Sequence, residues 1–118
     1  MSGDPIRIAL LGATGSIGRS TIEIVRRHPG RFEIVAASAN RRASELAELV
    51  EEFSPAAVAL ADTTVEAPDG WARGAEAVRD LAARDDVDVV VNAVVGAAGL
   101  LPTLTALEAG HRVALANK

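Results

Sequence analysis

Seven residues near the start of the chain constrain its fold more than any other segment. Residues 12–18 read GATGSIG, and they directly follow the apolar run of residues 6–11. Glycines spaced in this way allow a sharp turn out of a buried strand and a close approach by the helix that follows. The sequence therefore predicts a strand–turn–helix unit, with Ser16 as the N-cap of the helix.

Apolar runs and amphipathic stretches alternate along the rest of the chain. The predicted helices cover residues 16–27, 43–53, 75–84 and 102–109, and the further predicted strands cover residues 32–37, 57–60, 87–93 and 113–116. The loop of residues 62–74 has room for one irregular strand near Trp71. Alternating strands and helices are typical of a parallel sheet with right-handed crossovers. We therefore predict an α/β fold, a Rossmann-like doubly wound parallel sheet of about five strands.

The glycine motif has a chemical interpretation as well as a structural one. Gly12 would make the exit from the strand, Gly15 would let a pyrophosphate reach backbone amides, and Gly18 would let the helix lie close to the sheet. The helix N-terminus supplies free N–H donors and a partial positive charge, to which Thr14 and Ser16 can add hydroxyl donors. This context favours dinucleotide binding, and the alternative is a purely structural turn.

The residues after the second predicted strand indicate which dinucleotide is bound. NAD sites usually have Asp or Glu there, bonded to a ribose hydroxyl. This chain has no carboxylate at that point and instead has Arg41 and Arg42, which suit a 2′-phosphate. The alternative is that these arginines only open the next helix, where cations are mildly unfavourable. We therefore favour NADP over NAD.

Other polar residues point less clearly to a site. Asn92 interrupts an apolar strand, where it could face a ligand or, more simply, cap the turn. The small residues 96–99 leave room for a cofactor, and Asp62 fits a plain helix N-cap. We find no catalytic acid–base pair and no cluster of metal ligands in the sequence, and His28 and His111 are interpreted as turn residues.

Composition excludes several classes of protein. The chain has no cysteine and no apolar run near the length of a membrane span, and its net charge of −4 argues against a nucleic-acid partner. Residues 1–42 nevertheless carry a net charge of +4, which suits a phosphorylated ligand held there. No targeting segment is evident, so the predicted location is the cytoplasm.

Three segments resemble the 1-deoxy-D-xylulose 5-phosphate reductoisomerase family. They are residues 12–18, residues 95–104 (VGAAGLLPTL) and residues 115–118 (LANK). The resemblance implies contacts with the NADPH pyrophosphate from Thr14, Gly15, Ser16 and Ile17. It places Asn40, Arg41 and Arg42 at the adenosine phosphate, Asn117 on NADPH, and Lys118 on the substrate. The family differs at residues 40–42, where it usually has a turn similar to Gly-Lys-Asn.

The resemblance also implies an activity and its partners. Members of the family rearrange 1-deoxy-D-xylulose 5-phosphate and reduce it with NADPH, with Mg or Mn holding the substrate oxygens. They are longer homodimeric enzymes of isoprenoid biosynthesis. Residues 1–118 would be their N-terminal NADPH-binding domain, without the metal ligands or catalytic residues, and are expected to be inactive alone. The alternatives are another NADP-dependent dehydrogenase, of the semialdehyde or dihydrodipicolinate type, and a non-catalytic NADPH-binding module.

Overall fold

The computed structural model describes residues 3–94 and 96–115. Six strands alternate with four helices and a short 3₁₀ turn at Gly96–Gly99. The strands are β1 (Ile6–Leu11), β2 (Phe32–Ala39), β3 (Ala57–Leu60), β4 (Ala72–Arg73), β5 (Val89–Asn92) and β6 (Arg112–Leu115). The helices are α1 (Ser16–Arg27), α2 (Ala43–Phe53), α3 (Ala75–Leu81) and α4 (Leu100–Glu108).

All six strands pair in parallel, in the order β4-β3-β2-β1-β5-β6. The chain builds outward from β1 to β4 and then returns to the other side of β1 for β5 and β6. This reversal makes the sheet doubly wound, so the predicted Rossmann-like α/β fold is confirmed. The sheet has six strands and not the predicted five, because Ala72 and Arg73 pair with β3 inside the loop where an irregular strand was expected.

Apolar side chains cover both faces of the sheet. Leu10 of β1 points into one cluster with Ile22 of α1 and Leu46 of α2. Its neighbour Leu11 points into the opposite cluster, which contains Val90 of β5 and Ala106 of α4. Successive strand residues face opposite sides, so a strand covered on both faces has a continuous apolar sequence. Helices on both faces therefore explain why β1 reads as an unbroken apolar run.

Some boundaries differ from the sequence prediction. Helix α3 ends at Leu81, earlier than expected, and β5 begins at Val89, later than expected. Ser16 is the first residue of α1 and not its N-cap; Gly15 holds the N-cap position, without a side-chain hydrogen bond. The extended backbone of Gly15 (φ −79°, ψ 178°) supplies the entry geometry that an N-cap needs. None of the helices in the described parts of the chain is long and apolar enough to cross a membrane.

Candidate functional site

A cleft of about 800 Å³ lies at the carboxyl ends of the central strands. The strand order reverses between β1 and β5, and open parallel sheets bind ligands at this point. The cleft is lined by the loop after β1, by the end of β2 and the segments that follow β2 and β3, by the segment between β5 and α4, and by residues of α1, α3 and α4. The residues that line it include Gly12, Thr14, Gly15, Ser16, Arg19, Ser38, Asn40, Arg41, Arg42 and Leu101.

The loop after β1 is fixed by β2. Gly12 has a φ of +82°, and a Cβ there would lie 3.0 Å from the Ala93 carbonyl carbon. Its N–H donates to the hydroxyl (3.2 Å) and the carbonyl (3.1 Å) of Ser38, and the Ala13 N–H donates to the same carbonyl at 2.7 Å. Ser38 is only 1% exposed. Sequence reasoning missed this residue, although it is the one hydroxyl side chain in an otherwise apolar strand end.

Gly15 and Gly18 are glycines for different reasons. A Cβ at Gly18 would lie 2.3 Å from the Gly12 carbonyl oxygen, so the first turn of α1 contacts the loop backbone directly. The close approach predicted for Gly18 is therefore to the loop preceding the helix. A Cβ at Gly15 would meet nothing nearer than 3.8 Å, and its backbone is ordinary extended chain. Nothing in the described protein requires glycine at position 15, which lines the cleft, and this fits a ligand that occupies the space.

The start of α1 presents unused hydrogen-bond donors beside Gly15. The first backbone hydrogen bond of the helix is from the Arg19 N–H to the Gly15 carbonyl, at 2.9 Å. The amides of Ser16, Ile17 and Gly18 have no acceptor within residues 3–94 and 96–115. Amides at a helix N-terminus attract anions, because each carries a partial positive charge toward the open end. This arrangement suits a pyrophosphate.

Three arginines border the cleft near the end of β2. The Arg41 Nε lies 3.2 Å from an Asp62 carboxylate oxygen. Glu45, in the first turn of α2, accepts from Arg19 at 2.9 Å and lies 3.4 Å from a guanidinium nitrogen of Arg42. The hydrogen bond from Arg19 is the chief reason that the pKa of Glu45 is lowered, and the charge of Arg42 contributes to the same shift. Asn40 and both predicted arginines therefore lie together at the cleft, and Arg19 joins them from α1.

Asp62 does not cap a helix, which corrects the sequence interpretation. Its carboxylate accepts the Thr64 N–H at 2.8 Å and the Thr64 hydroxyl at 2.6 Å, forming a local turn. These hydrogen bonds, together with the nearby charges of Arg41 and Arg73, lower the pKa of Asp62. No helix begins at this point because the chain runs through the loop to β4.

Asn92 caps the turn after β5, as the simpler of its two interpretations predicted. Its side chain is buried, and its amide donates to the Gly99 carbonyl and the Thr103 hydroxyl, both at 2.8 Å. Its Oδ1 accepts the Val94 N–H at 3.1 Å. A Cβ at Gly99 would lie 2.4 Å from the Val94 carbonyl oxygen. These contacts set the start of α4, whose Leu101 and Pro102 form a wall of the cleft.

Other polar residues singled out in the sequence lie away from the cleft, or are not among the residues that the structure describes. Asp88 pairs with Arg7 at 3.1 Å, and Asp86 pairs with Arg84 at 2.8 Å. His111 donates from Nε2 to the Arg84 carbonyl at 2.7 Å. Within residues 3–94 and 96–115, no three acidic or histidine side chains form a group that could hold a metal ion. Asn117 and Lys118, predicted to contact NADPH and substrate, lie outside the described residues.

Comparison with known proteins gives a consistent result. The model of the family "1-deoxy-D-xylulose 5-phosphate reductoisomerase" matches residues 8–118. A protein of that name from Ralstonia pickettii is 48% identical over 124 residues, covering 96% of this chain and 31% of the relative. The corresponding protein of Acinetobacter baumannii is 45% identical over 122 residues, covering 94% of this chain and 31% of the relative. The chain thus spans 31% of the length of these curated relatives.

A solved structure agrees with these sequence matches. The enzyme of that name from Zymomonas mobilis, in complex with NADPH, superposes with a TM-score of 0.85 at 35% identity. The superposition covers 97% of this chain and 32% of that one. The architecture described above is therefore shared with a protein that was solved with a dinucleotide.

Proposed function

Because the chain belongs to the 1-deoxy-D-xylulose 5-phosphate reductoisomerase family, we propose that residues 1–118 form its NADPH-binding domain. The parent reaction is the rearrangement and NADPH-dependent reduction of 1-deoxy-D-xylulose 5-phosphate to 2-C-methyl-D-erythritol 4-phosphate. The Zymomonas relative in complex with NADPH supports the choice of cofactor. The arginines at the end of β2 support it independently, since no carboxylate follows that strand directly.

The observation that carries this proposal is the open space at Gly15 beside the three unused amides of α1. In the proposed complex, Ser16, Ile17 and Gly18 donate backbone N–H groups to the pyrophosphate. The hydroxyls of Thr14 and Ser16 add donors at the same point, while Gly12, held by Ser38, keeps the loop in place. Asn40, Arg41 and Arg42 bind the adenosine end. When bound, NADPH supplies a hydride. The residues of this chain bind and orient the NADPH molecule.

Other roles in the parent reaction belong to residues that the structure does not describe. We propose that Asn117 contacts NADPH and that Lys118 contacts the sugar-phosphate substrate. The described residues do not form a metal site, and the ligands of Mg or Mn in this proposal lie elsewhere in the parent enzyme. We also propose a homodimeric enzyme of the cytoplasm, with neither a nucleic-acid nor a membrane partner. The net charge of −4 supports the first of these exclusions.

Cofactor binding by the chain itself tests the proposal first. We expect calorimetric titration to show NADPH binding about tenfold or more tighter than NADH, since charge-assisted bonds to the 2′-phosphate are lost with NADH. Equal affinities would contradict the cofactor assignment. No binding of either dinucleotide would contradict the proposed domain function.

A chimera tests the activity. Residues 1–118 would replace the corresponding part of the Ralstonia pickettii relative, to which they are 48% identical. We expect NADPH oxidation that depends on 1-deoxy-D-xylulose 5-phosphate, and none from the 118 residues alone. A folded chimera that binds NADPH without turnover would favour a non-catalytic module. Turnover of a semialdehyde or of dihydrodipicolinate instead would favour another dehydrogenase.

A further inference from the structure

The arginines of the cleft are not equally neutralised by their carboxylate partners. Arg41 pairs with Asp62, while Arg19 and Arg42 share the single carboxylate of Glu45. Two guanidiniums on one carboxylate keep a net charge of +1, whereas the Arg41–Asp62 pair is neutral. Arg73 also lies near Asp62, but within the described residues it forms no ion pair with that carboxylate; its guanidinium donates to the carbonyls of Asp62 and Val65, and Arg73 is not among the cleft-lining residues.

Resting on the proposed function, we infer that Arg19 is a further cofactor-binding residue, which acts with Arg42 on the adenosine 2′-phosphate. Both arginines line the cleft, one from α1 and one from the start of α2, and both lie within 3.4 Å of a Glu45 oxygen. Arg41, already balanced by Asp62, contributes less. Arg19 directly follows the glycine motif, but the sequence prediction does not assign it to cofactor binding.

The charges explain why a phosphate would bind between these two side chains. A phosphate monoester carries between one and two negative charges near neutral pH and has three strong acceptor oxygens. Guanidinium groups bind such oxygens through paired N–H donors, which a single carboxylate cannot saturate on two arginines at once. Both side chains are more than half exposed, so they can turn toward an incoming ligand without breaking a buried contact.

A second ion pair between the same helices gives a matched control. Arg26 of α1 contacts Glu52 of α2 at 2.6 and 2.8 Å, and these two residues lie outside the described lining of the cleft. Loss of Arg26 therefore removes an α1–α2 bridge similar to the Arg19–Glu45 bridge, but without changing the cleft. A purely structural role for Arg19 would give both variants the same effect.

The experiment measures the dissociation constants of NADPH and NADH for R19A, R42A, R41A and R26A, with folding checked by circular dichroism. We expect R19A and R42A to weaken NADPH about tenfold or more while NADH changes less than about twofold. R41A should lose less than either, R26A should bind as the unmodified chain does, and Arg19→Lys should retain part of the affinity.

The outcomes separate this inference from the proposed function. If the unmodified chain prefers NADPH but R19A loses no more affinity than R26A, Arg19 is not a binding residue. Equal losses of NADPH and NADH in R19A would also overturn the inference, because the 2′-phosphate would not be involved. If the unmodified chain binds neither dinucleotide, the proposed function itself fails.

Discussion

At the scale of single residues, the glycines of the loop after β1 have separate physical reasons to be glycine. Gly12 needs a positive φ, and Gly18 needs the absence of a Cβ against the Gly12 carbonyl. Gly15 needs neither within the described protein. A spacing pattern treats the three alike, whereas the structure separates positions required for folding from one that leaves space for a ligand.

Substitution of Gly15 by valine should separate folding from binding. A Cβ at position 15 meets nothing nearer than 3.8 Å, so we expect the circular dichroism spectrum to remain that of the folded chain. Loss of glycine from the N-cap of α1 should lower the free energy of unfolding by about 1 kcal/mol. NADPH binding should be lost, because the branched side chain occupies the space proposed for the pyrophosphate. Fluorescence titration with NADPH measures this, and retained affinity in the folded variant would place the phosphate elsewhere.

Substitution of Gly18 by alanine should lower the stability of the fold. A Cβ at 2.3 Å from the Gly12 carbonyl oxygen and 2.6 Å from the Ala13 backbone forces the loop and helix apart. Overpacking of this kind typically costs about 1–3 kcal/mol, so the midpoint of urea unfolding should fall. The matched control is Gly15→Ala, which should lose less stability than Gly18→Ala. Equal stability of the two variants would contradict the close approach described here.

Asp62 provides a prediction about pH. Its pKa is lowered first by the Thr64 hydroxyl, so Thr64→Val should raise it, while the backbone N–H preserves part of the shift. Because the folded pKa lies below the unfolded one, Asp62 favours the folded state above its unfolded pKa, and this contribution is lost as the pH falls through the folded value. Carboxyl NMR titration of both chains measures the difference. An unchanged pKa would rule out this cause.

At the scale of elements, Asn92 links strand β5 to helix α4. Asn92 is only 2% exposed. Its side chain forms three hydrogen bonds, with the Val94 N–H, the Gly99 carbonyl and the Thr103 hydroxyl. These contacts hold the segment that forms one wall of the cleft. Such a cap fixes the position of α4 relative to β5, which local sequence preference alone does not set.

Replacement of Asn92 by alanine should therefore destabilise the fold. The Val94 N–H would lose its acceptor, while the Thr103 hydroxyl still donates to the Gly99 carbonyl at 2.9 Å. One part-buried polar group left without a partner costs about 1–3 kcal/mol, so the loss should be measurable by urea denaturation. The control is Leu104→Gln, in the helix α4 that Asn92 links to β5. Leu104 is 46% exposed, so its replacement should change the free energy of unfolding by less than about 0.5 kcal/mol. Similar losses in the two variants would mean that the cap contributes little.

At the scale of the whole molecule, ligand binding and stability are linked. The cleft is assembled from the ends of the central strands and from residues of α1, α3 and α4, so a ligand bound there contacts only the folded chain. NADPH at a hundred times its dissociation constant should add about 2.7 kcal/mol to the free energy of unfolding. We expect a rise of several degrees in melting temperature by differential scanning calorimetry.

Two controls make this thermal measurement specific. NADH at the same concentration should raise the melting temperature less, because it lacks the 2′-phosphate. Gly15→Val should show no rise with either dinucleotide. An equal rise in that variant would show that the stabilisation comes from binding outside the cleft.

Features that depend on local chemistry follow from the amino-acid sequence alone. The apolar run before GATGSIG and the alternating patterns predicted a doubly wound sheet, and the motifs at residues 12–18, 95–104 and 115–118 predicted a family. Both predictions are confirmed. Alternation identifies the helices and the longer strands because side-chain periodicity is local. The family motifs also assigned roles to individual residues, from Thr14 to Lys118, and these roles remain predictions.

Contacts between residues distant in the sequence depend instead on how the elements pack. Ser38 holds the loop from 26 residues away, and Glu45 joins Arg19 to Arg42 across two helices. The two-residue strand β4 forms because β3 lies beside it, and Asp62 turns toward Thr64 and Arg41 where a helix cap was expected. Such contacts depend on strand order and on the packing of helices against the sheet, neither of which a local pattern specifies.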